Sequence, residues 1–206
     1  MSIARQLQLI IFSAGLLLGC AGAPELQLTP GSAVTPGVDL SGYWQLRDDA
    51  GDPLRQYSRQ GFIGPRSTER VVRLTQEMRR AGKTARSAGS KDRAALAQVF
   101  LETGANVKLT QTADGLFISY DRSVVEEYIF GEHRIATVGP ISAERASGWQ
   151  GSAYVVETMD EDNVLLRERW YLADGGAVLQ RDIEFIEKDE LVFSARQSFD
   201  RTDGPG

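Results

Sequence analysis

Residues 164–200, VLLRERWYLADGGAVLQRDIEFIEKDELVFSARQSFD, decide the fold class of this chain. Apolar and polar residues alternate through three runs of this stretch, which is the period of a β-strand with one buried face. The runs are separated by the turn-forming segments 174–176 (DGG) and 187–190 (EKDE). Three alternating runs joined by tight turns are typical of an antiparallel meander, so the stretch predicts an antiparallel sheet.

Runs of the same kind continue upstream, and each is bounded by a turn signal. We place the predicted strands at 40–47, 105–112, 116–121, 126–130, 133–138, 152–159, 164–172, 177–186 and 191–200. The sequence therefore predicts a mainly β domain, an antiparallel up-and-down meander of about eight or nine strands. Because such a sheet must cover its edge strands, we expect it to close as a barrel or half-barrel.

The segment between the first two predicted strands has a different period. After Ser67, apolar residues recur every three or four positions, and the same spacing returns after Ser90 and stops before Gly104. Serine is a favourable helix N-cap, and glycine commonly follows a helix end. The spacing predicts a helix pair over about 68–103, inserted after the first strand.

The first twenty residues, MSIARQLQLIIFSAGLLLGC, have the features of a secretory signal. Arg5 is their only charge, and the apolar run that follows is shorter than the roughly 20 residues needed to span a bilayer. The end, LLGC at 17–20, resembles the lipobox of bacterial lipoproteins, in which the cysteine thiol is lipidated and the signal is removed before it. The resemblance implies a signal peptide at 1–19 and lipid attachment at Cys20. The other interpretation is an ordinary signal with a cysteine there by chance.

A tether and one domain follow the predicted signal. Residues 20–38 contain Pro24, Pro30 and Pro36 among glycine, serine and threonine, a composition typical of a linker. About 19 residues of flexible chain have an r.m.s. reach of roughly 23 Å, so we expect the domain, residues 39–206, to rotate freely beside the membrane. Ala21, where lipoproteins retained in the inner membrane carry aspartate, implies an outer-membrane lipoprotein facing the periplasm.

The first predicted strand contains Gly42-Tyr43-Trp44 within the phrase LSGYW. This Gly-x-Trp, followed by a helix pair and a meander, resembles the calycins, the superfamily of lipocalins and fatty-acid-binding proteins. The chain also resembles a group of proteobacterial lipoproteins whose domain begins with a phrase like LSGxW. The calycin resemblance implies that Gly42 and Trp44 close one barrel end and that an arginine near the chain's end, Arg196 or Arg201, packs over Trp44. Such a cation–π contact contributes about 0.5–2 kcal/mol.

The composition excludes several kinds of site. One cysteine rules out an internal disulfide framework, and one histidine rules out a multi-histidine metal centre. The net charge of −5 argues against nucleic-acid binding. His133 lacks a recognisable nucleophile motif, and the acidic segment 160–163 lacks the spacing of a calcium loop, so a structural role is favoured for both. We therefore predict no catalytic residue, no metal and no cofactor.

Residues 66–93 form a basic stretch in an otherwise acidic chain. Nine lysine and arginine side chains stand there against three acidic ones. One interpretation is a solvated surface that balances the acidic remainder. The other is a contact surface for anionic lipid headgroups or an acidic protein partner. The residues singled out for that contact are Arg70, Arg73, Arg79, Arg80, Lys83 and Arg86.

Two functions therefore remain open, both without catalysis. The preferred one is binding of a hydrophobic or amphiphilic molecule inside the barrel, with the helix pair controlling entry. The alternative is a protein-interaction or scaffolding module at the envelope that uses the basic stretch. Large inward side chains would favour the second function, because a filled barrel has no cavity. Trp149, between two glycines, is predicted to lie in a loop that covers a barrel end or meets a ligand.

Overall fold

The structure, a computed structural model, describes residue 26, residues 37–47, residue 54 and residues 98–121, 124–138, 141–161 and 163–204. Most of this part of the chain lies in ten strands. They are β1 Gly42–Leu46, β2 Asn106–Gln111, β3 Gly115–Tyr120, β4 Val124–Ile129, β5 Glu132–Val138, β6 Ile141–Gln150, β7 Ala153–Asp160, β8 Val164–Ala173, β9 Val178–Glu187 and β10 Glu190–Thr202. Two short 3-10 turns are also described, Gln98–Phe100 and Asp174–Gly176.

All ten strands belong to one antiparallel sheet, in the order β4-β3-β2-β1-β10-β9-β8-β7-β6-β5. The first and last strands pair in its middle, with Trp44 opposite Arg201. The predicted mainly β, antiparallel meander is confirmed. The strand number is ten rather than eight or nine, and the expected closure is wrong, because β4 and β5 remain the outermost strands of the sheet.

Side chains bridge the two open edges. Nη2 of Arg134 on β5 donates a 2.5 Å hydrogen bond to the backbone carbonyl of Glu127 on β4. Oγ of Ser147 on β6 donates to the carbonyl of Ile129 at 3.1 Å. These contacts bring β4 beside β5 and β6, so the sheet curls round until its edges meet through side chains.

Strand β6 is the strand that the sequence did not predict. Its letters, ISAERASGWQ, contain small and charged residues in place of the alternating large apolar residues that mark a strand. Trp149 lies in this strand and is buried, so the predicted loop around it is wrong. The small residues are compatible with a strand here because both faces of β6 are covered at Ala146 and Trp149.

The predicted helix pair is not supported by the part of the chain that the structure describes. Residues 68–97 lie outside that part. At the predicted end of the pair, 98–100 form a single 3-10 turn, and 101–104 have no regular secondary structure. Phe100 and Leu101 are buried in the core there instead of forming the last turn of a helix.

The inner face of the sheet holds two apolar clusters. The Trp44 cluster lies towards the start of β1 and includes Trp170, Tyr154 and Phe199. The Phe185 cluster lies towards the opposite end of the strands, where Leu54, Phe100 and Leu101 pack against the sheet. Both clusters follow the period of two, since alternate residues of each strand point inward.

Candidate functional site

Trp44 and Arg201 meet at one end of the sheet. The Arg201 guanidinium lies 4.2 Å from the centre of the Trp44 ring. Its Nη1 donates a 3.0 Å hydrogen bond to the carbonyl of Ser41, and Nε1 of Trp44 donates to the carbonyl of Leu40 at 3.2 Å. The tryptophan is 1% exposed. The contact therefore ties the segment before β1 to both the first and the last strand.

Gly42 makes room for this arginine. Its φ of 152° lies in a region that residues with a side chain rarely adopt, and a Cβ there would stand 2.7 Å from Nη1 of Arg201. A residue with a side chain there would therefore strain the backbone and force the guanidinium to shift.

Arg196, the other candidate, lies elsewhere. Its side chain is 60% exposed and is paired with the Asp182 carboxylate through hydrogen bonds of 2.6 and 3.1 Å. Arg196 faces outward, because its neighbours Ala195 and Gln197 are the buried residues of this part of β10. Of the two candidates, only Arg201 lies over Trp44.

Replacing Arg201 with alanine is expected to lower the free energy of unfolding by about 0.5–2 kcal/mol, because a cation–π contact over a buried tryptophan is lost. Arg196→Ala on the same strand is the matched control, and it removes an exposed ion pair with an expected cost of about 0–1 kcal/mol. Urea unfolding followed by tryptophan fluorescence measures both. If Arg201→Ala costs no more stability than Arg196→Ala, the assignment of Arg201 as the arginine over Trp44 is contradicted.

A layer of buried charge separates the two apolar clusters. Arg181 on β9 donates to the Glu168 carboxylate on β8 through Nε at 2.9 Å and Nη2 at 2.5 Å, and Nη1 donates to Gln197 at 3.2 Å. Its guanidinium also lies 4.6 Å from the centre of the Trp170 ring. Burial lowers the pKa of Arg181, but the Glu168 carboxylate, with Tyr120 and Tyr128, acts in the opposite direction, and the pKa is raised.

A second pair continues this layer. Nη1 of Arg145 on β6 donates to Glu126 on β4 at 3.0 Å, and its Nε donates to Thr158 at 3.0 Å. The guanidinium lies 5.8 Å from the centre of the Phe100 ring and 5.6 Å from that of Tyr128. Burial raises the pKa of Tyr128, and Arg145 acts in the opposite direction. Each inward guanidinium thus has its own carboxylate.

The space enclosed by the described strands is filled. A side chain that borders an empty cavity of ligand size exposes part of its surface to that cavity, yet Trp170 and Tyr154 are 0% exposed, and Phe199 and Arg181 are 1% exposed. Aromatic rings at 5.4 Å between centres, such as Trp149 and Tyr154, pack across the same interior. The residues lining the inside therefore contact one another.

A cleft opens between β4 and β5. Its volume is about 260 Å³, and it reaches from the solvent to the buried Arg145. The lining residues are Phe100, Glu126, Arg134, Ile135, Ala136, Thr137, Val138 and Arg145. The cleft thus offers a guanidinium donor beside apolar walls.

A wider groove of about 470 Å³ runs over the outside of β1, β2 and β3. It is open to the solvent, and polar side chains such as Lys108, Ser119 and Asp121 contribute to its lining. Nζ of Lys108 lies 5.3 Å from the centre of the Tyr43 ring. The groove contains no convergent set of buried polar groups, in contrast to the cleft.

Several of the residues named from the sequence have a definite place. His133 is half exposed and stands 3.5 Å from Glu144. Oδ1 of Asp160 accepts a 3.0 Å hydrogen bond from the backbone of Val164, so this acidic residue shapes its turn. Cys20 and the basic residues Arg70, Arg73, Arg79, Arg80, Lys83 and Arg86 lie outside the described residues.

The described residues show neither a metal site nor a membrane-spanning helix. They contain no group of three or more histidine, cysteine, aspartate or glutamate side chains placed to hold a metal ion. None of the helices among them is long and apolar enough to cross a membrane.

The fold and this site define a mainly β protein built on one ten-stranded antiparallel sheet. Neither protein-family models nor curated proteins gave a match to the chain. Solved structures did match. Human cRBP IV is 14% identical and has a TM-score of 0.44. The match covers 80% of this chain and 98% of that chain.

Two further structures match over a similar length. Secretory abundant heat soluble protein 4 from Ramazzottius varieornatus is 10% identical, with 82% of this chain and 99% of that chain covered and a TM-score of 0.47. Apo lipid binding protein 8 from Caenorhabditis elegans is 9% identical and has a TM-score of 0.46. The match covers 81% of this chain and 99% of that chain.

Proposed function

We propose that this chain is a non-catalytic, lipid-anchored protein of the bacterial cell envelope that acts through its outer surface as an interaction module. The observation that carries the proposal is the filled interior. The inward rows of β7 to β10 are buried and include the aromatic side chains Tyr154, Trp170, Phe185 and Phe199 and the Arg181–Glu168 ion pair. A ligand inside the sheet would have to displace these side chains, and a filled interior holds no ligand.

The anchor is proposed from the sequence at the chain's start. The lone cysteine, Cys20, stands directly after an apolar signal-like run, in the phrase LLGC. Two or more acyl chains on one residue give stable anchoring, since each buried CH₂ contributes about 0.8 kcal/mol. With Ala21 next to it, the proposed location is the periplasmic side of the outer membrane.

The proposed partner surface includes the basic stretch 66–93. Its net positive charge contrasts with the acidic remainder of the chain, so it suits an acidic protein partner or anionic headgroups. The proposal rests on this charge contrast alone and does not require a helix pair.

A second candidate function is the binding of a small carboxylate amphiphile in the cleft between β4 and β5. The observation that favours it is that the buried Arg145 lines this cleft of about 260 Å³. Arg134 stands in the same lining, and Phe100 and Val138 provide apolar walls. A carboxylate would take a charge-assisted hydrogen bond from Arg145.

Uptake of radiolabelled octanoate separates the two candidates. Vesicles that carry the full chain and empty vesicles of the same composition are incubated with octanoate, floated and counted. The interaction module predicts equal counts. Saturable excess counts that disappear in Arg145→Met but persist in Arg196→Met, an exposed control, would establish the second candidate. Saturable excess that survives Arg145→Met would contradict both, because the ligand would then lie elsewhere in the domain.

A further inference from the structure

One part of the outer face of the sheet is covered. Val155 on β7 points outward, since its neighbours Tyr154 and Val156 belong to the inner Trp44 cluster, and yet Val155 is 0% exposed. The outward Ile135 on β5 is 63% exposed in comparison. An outward valine without any exposure requires other residues packed on top of it.

The cover includes Leu26. This residue packs, together with Tyr171, against a cluster made of Ala146, Ala153 and Val155. The seat consists of small side chains on neighbouring positions of β6 and β7, which lets the leucine approach the sheet closely. Leu26 belongs to the stretch 20–38, whose composition alone is typical of a free linker.

The end of the same stretch, next to β1, is hydrogen-bonded to Gln111 on β2. The backbone N–H of Leu40 donates to Oε1 of Gln111 at 3.0 Å, and Nε2 of Gln111 donates to the carbonyl of Val38 at 3.0 Å. Leu40 itself is fully buried in the Trp44 cluster. Leu26 and Val38, two residues of the stretch, are therefore both attached to the sheet.

From these contacts we infer that the stretch after Cys20 docks on the outside of β6 and β7 and turns that face of the domain towards the lipid leaflet. The inference rests on the proposed lipid anchor at Cys20. Leu26 follows Cys20 by six positions, and six residues of extended chain span at most about 20 Å. If the chain were free from Cys20 to Val38, it could span a distance of about 60 Å. Docking thus holds the domain close to the membrane in one orientation.

Energy transfer to the leaflet measures this orientation. The full chain carries one cysteine, which lipidation would consume, so an introduced cysteine is then the sole free thiol. Ser152→Cys places a donor dye at the exposed turn between β6 and β7, and Thr110→Cys places it on the outward side of β2. The two sites are about five strand spacings of roughly 4.8 Å apart around the sheet. Vesicles hold the lipidated protein and an acceptor-labelled lipid.

The docked stretch predicts stronger energy transfer from residue 152 than from residue 110. Adding Leu26→Asp, which puts a charge into the apolar seat, is expected to abolish the difference, while Leu191→Asp, at an exposed leucine, leaves it intact. Equal transfer from both sites without these changes would overturn the inference, as would a difference that persists in Leu26→Asp.

The absence of a lipid anchor at Cys20 would give a different result from the absence of docking. Without lipidation, the chain with no introduced cysteine would react with maleimide at Cys20 and would stay behind when the vesicles float. That result would remove the proposed anchor and, with it, the docking orientation. A chain that floats and does not react, but gives equal transfer from both sites, would overturn only the docking.

Discussion

Arg181→Met is expected to lower the free energy of unfolding by about 3–5 kcal/mol, since it leaves the Glu168 carboxylate buried without its counter-charge. Glu168 and Arg181 are both almost fully buried, and the guanidinium donates two hydrogen bonds to one carboxylate oxygen. Equilibrium unfolding in urea, followed by circular dichroism, measures the loss. A cost of this size is a large part of the total stability of a single domain.

The double variant Arg181→Met/Glu168→Leu is the control for this prediction. Replacing a buried ion pair by apolar residues of similar volume is often neutral or stabilising, so the double variant is expected to recover most of the loss. Arg196→Met removes an exposed ion pair and is expected to cost about 0–1 kcal/mol. A single Arg181→Met variant that loses less than the Arg196 variant would show that the charge layer is not buried as described.

Trp170→Ala is expected to cost about 3–5 kcal/mol, because a fully buried indole is removed from the middle of the core. The ring packs against Phe199 and Tyr120, at 6.1 and 6.5 Å between ring centres, and beneath Arg181. Thermal and urea unfolding of the variant and the wild type measure the difference. Leu191→Ala, at an exposed leucine, is expected to change the stability by less than about 0.5 kcal/mol.

The same variant tests whether the interior is filled in the wild type. An apolar cavity created by a large-to-small substitution stays dry and binds small aromatic molecules. Indole is therefore expected to raise the Tm of Trp170→Ala and to leave the Tm of the wild type unchanged. A wild-type protein that indole stabilises as strongly as the variant already contains such a cavity.

The antiparallel meander could be predicted because most of its strands alternate cleanly. β8 and β9 carry apolar residues at most of their inward positions and turn at segments rich in Gly, Asp or Lys. β6 could not be found in this way, since ISAERASGWQ replaces the apolar row with small and charged residues. It pairs with β5 on one side and β7 on the other, and the local sequence of β6 does not contain this information.

The sequence predicts the contact of Trp44 with an arginine but does not identify which arginine makes it. The Gly-x-Trp resemblance named Arg196 and Arg201 together. The alternation of side chains along β10 distinguishes the two arginines. Arg201 shares a face with the buried Ala195 and Phe199, and Arg196 lies on the other face. The register that sets Trp44 opposite Arg201 follows from pairing the first strand with the last, which the meander alone does not specify.

The buried charge layer was missed for a physical reason. A charged residue in an alternating strand is normally interpreted as outward, because burying a lone charge is costly. Glu168 stands between Leu166 and Trp170 in the inward row of β8, and Arg181 stands between Leu179 and Ile183 in that of β9. Charges in the inward rows of two neighbouring predicted strands are the signal that could have revealed the pair.

Native mass spectrometry of the full chain, released from its own membrane in mild detergent, tests the central claim most directly. A filled interior predicts the mass of the processed chain with its acyl groups and no further bound molecule. A second, lipid-sized mass that remains bound through detergent exchange would contradict a filled interior and would restore ligand binding inside the sheet as the function.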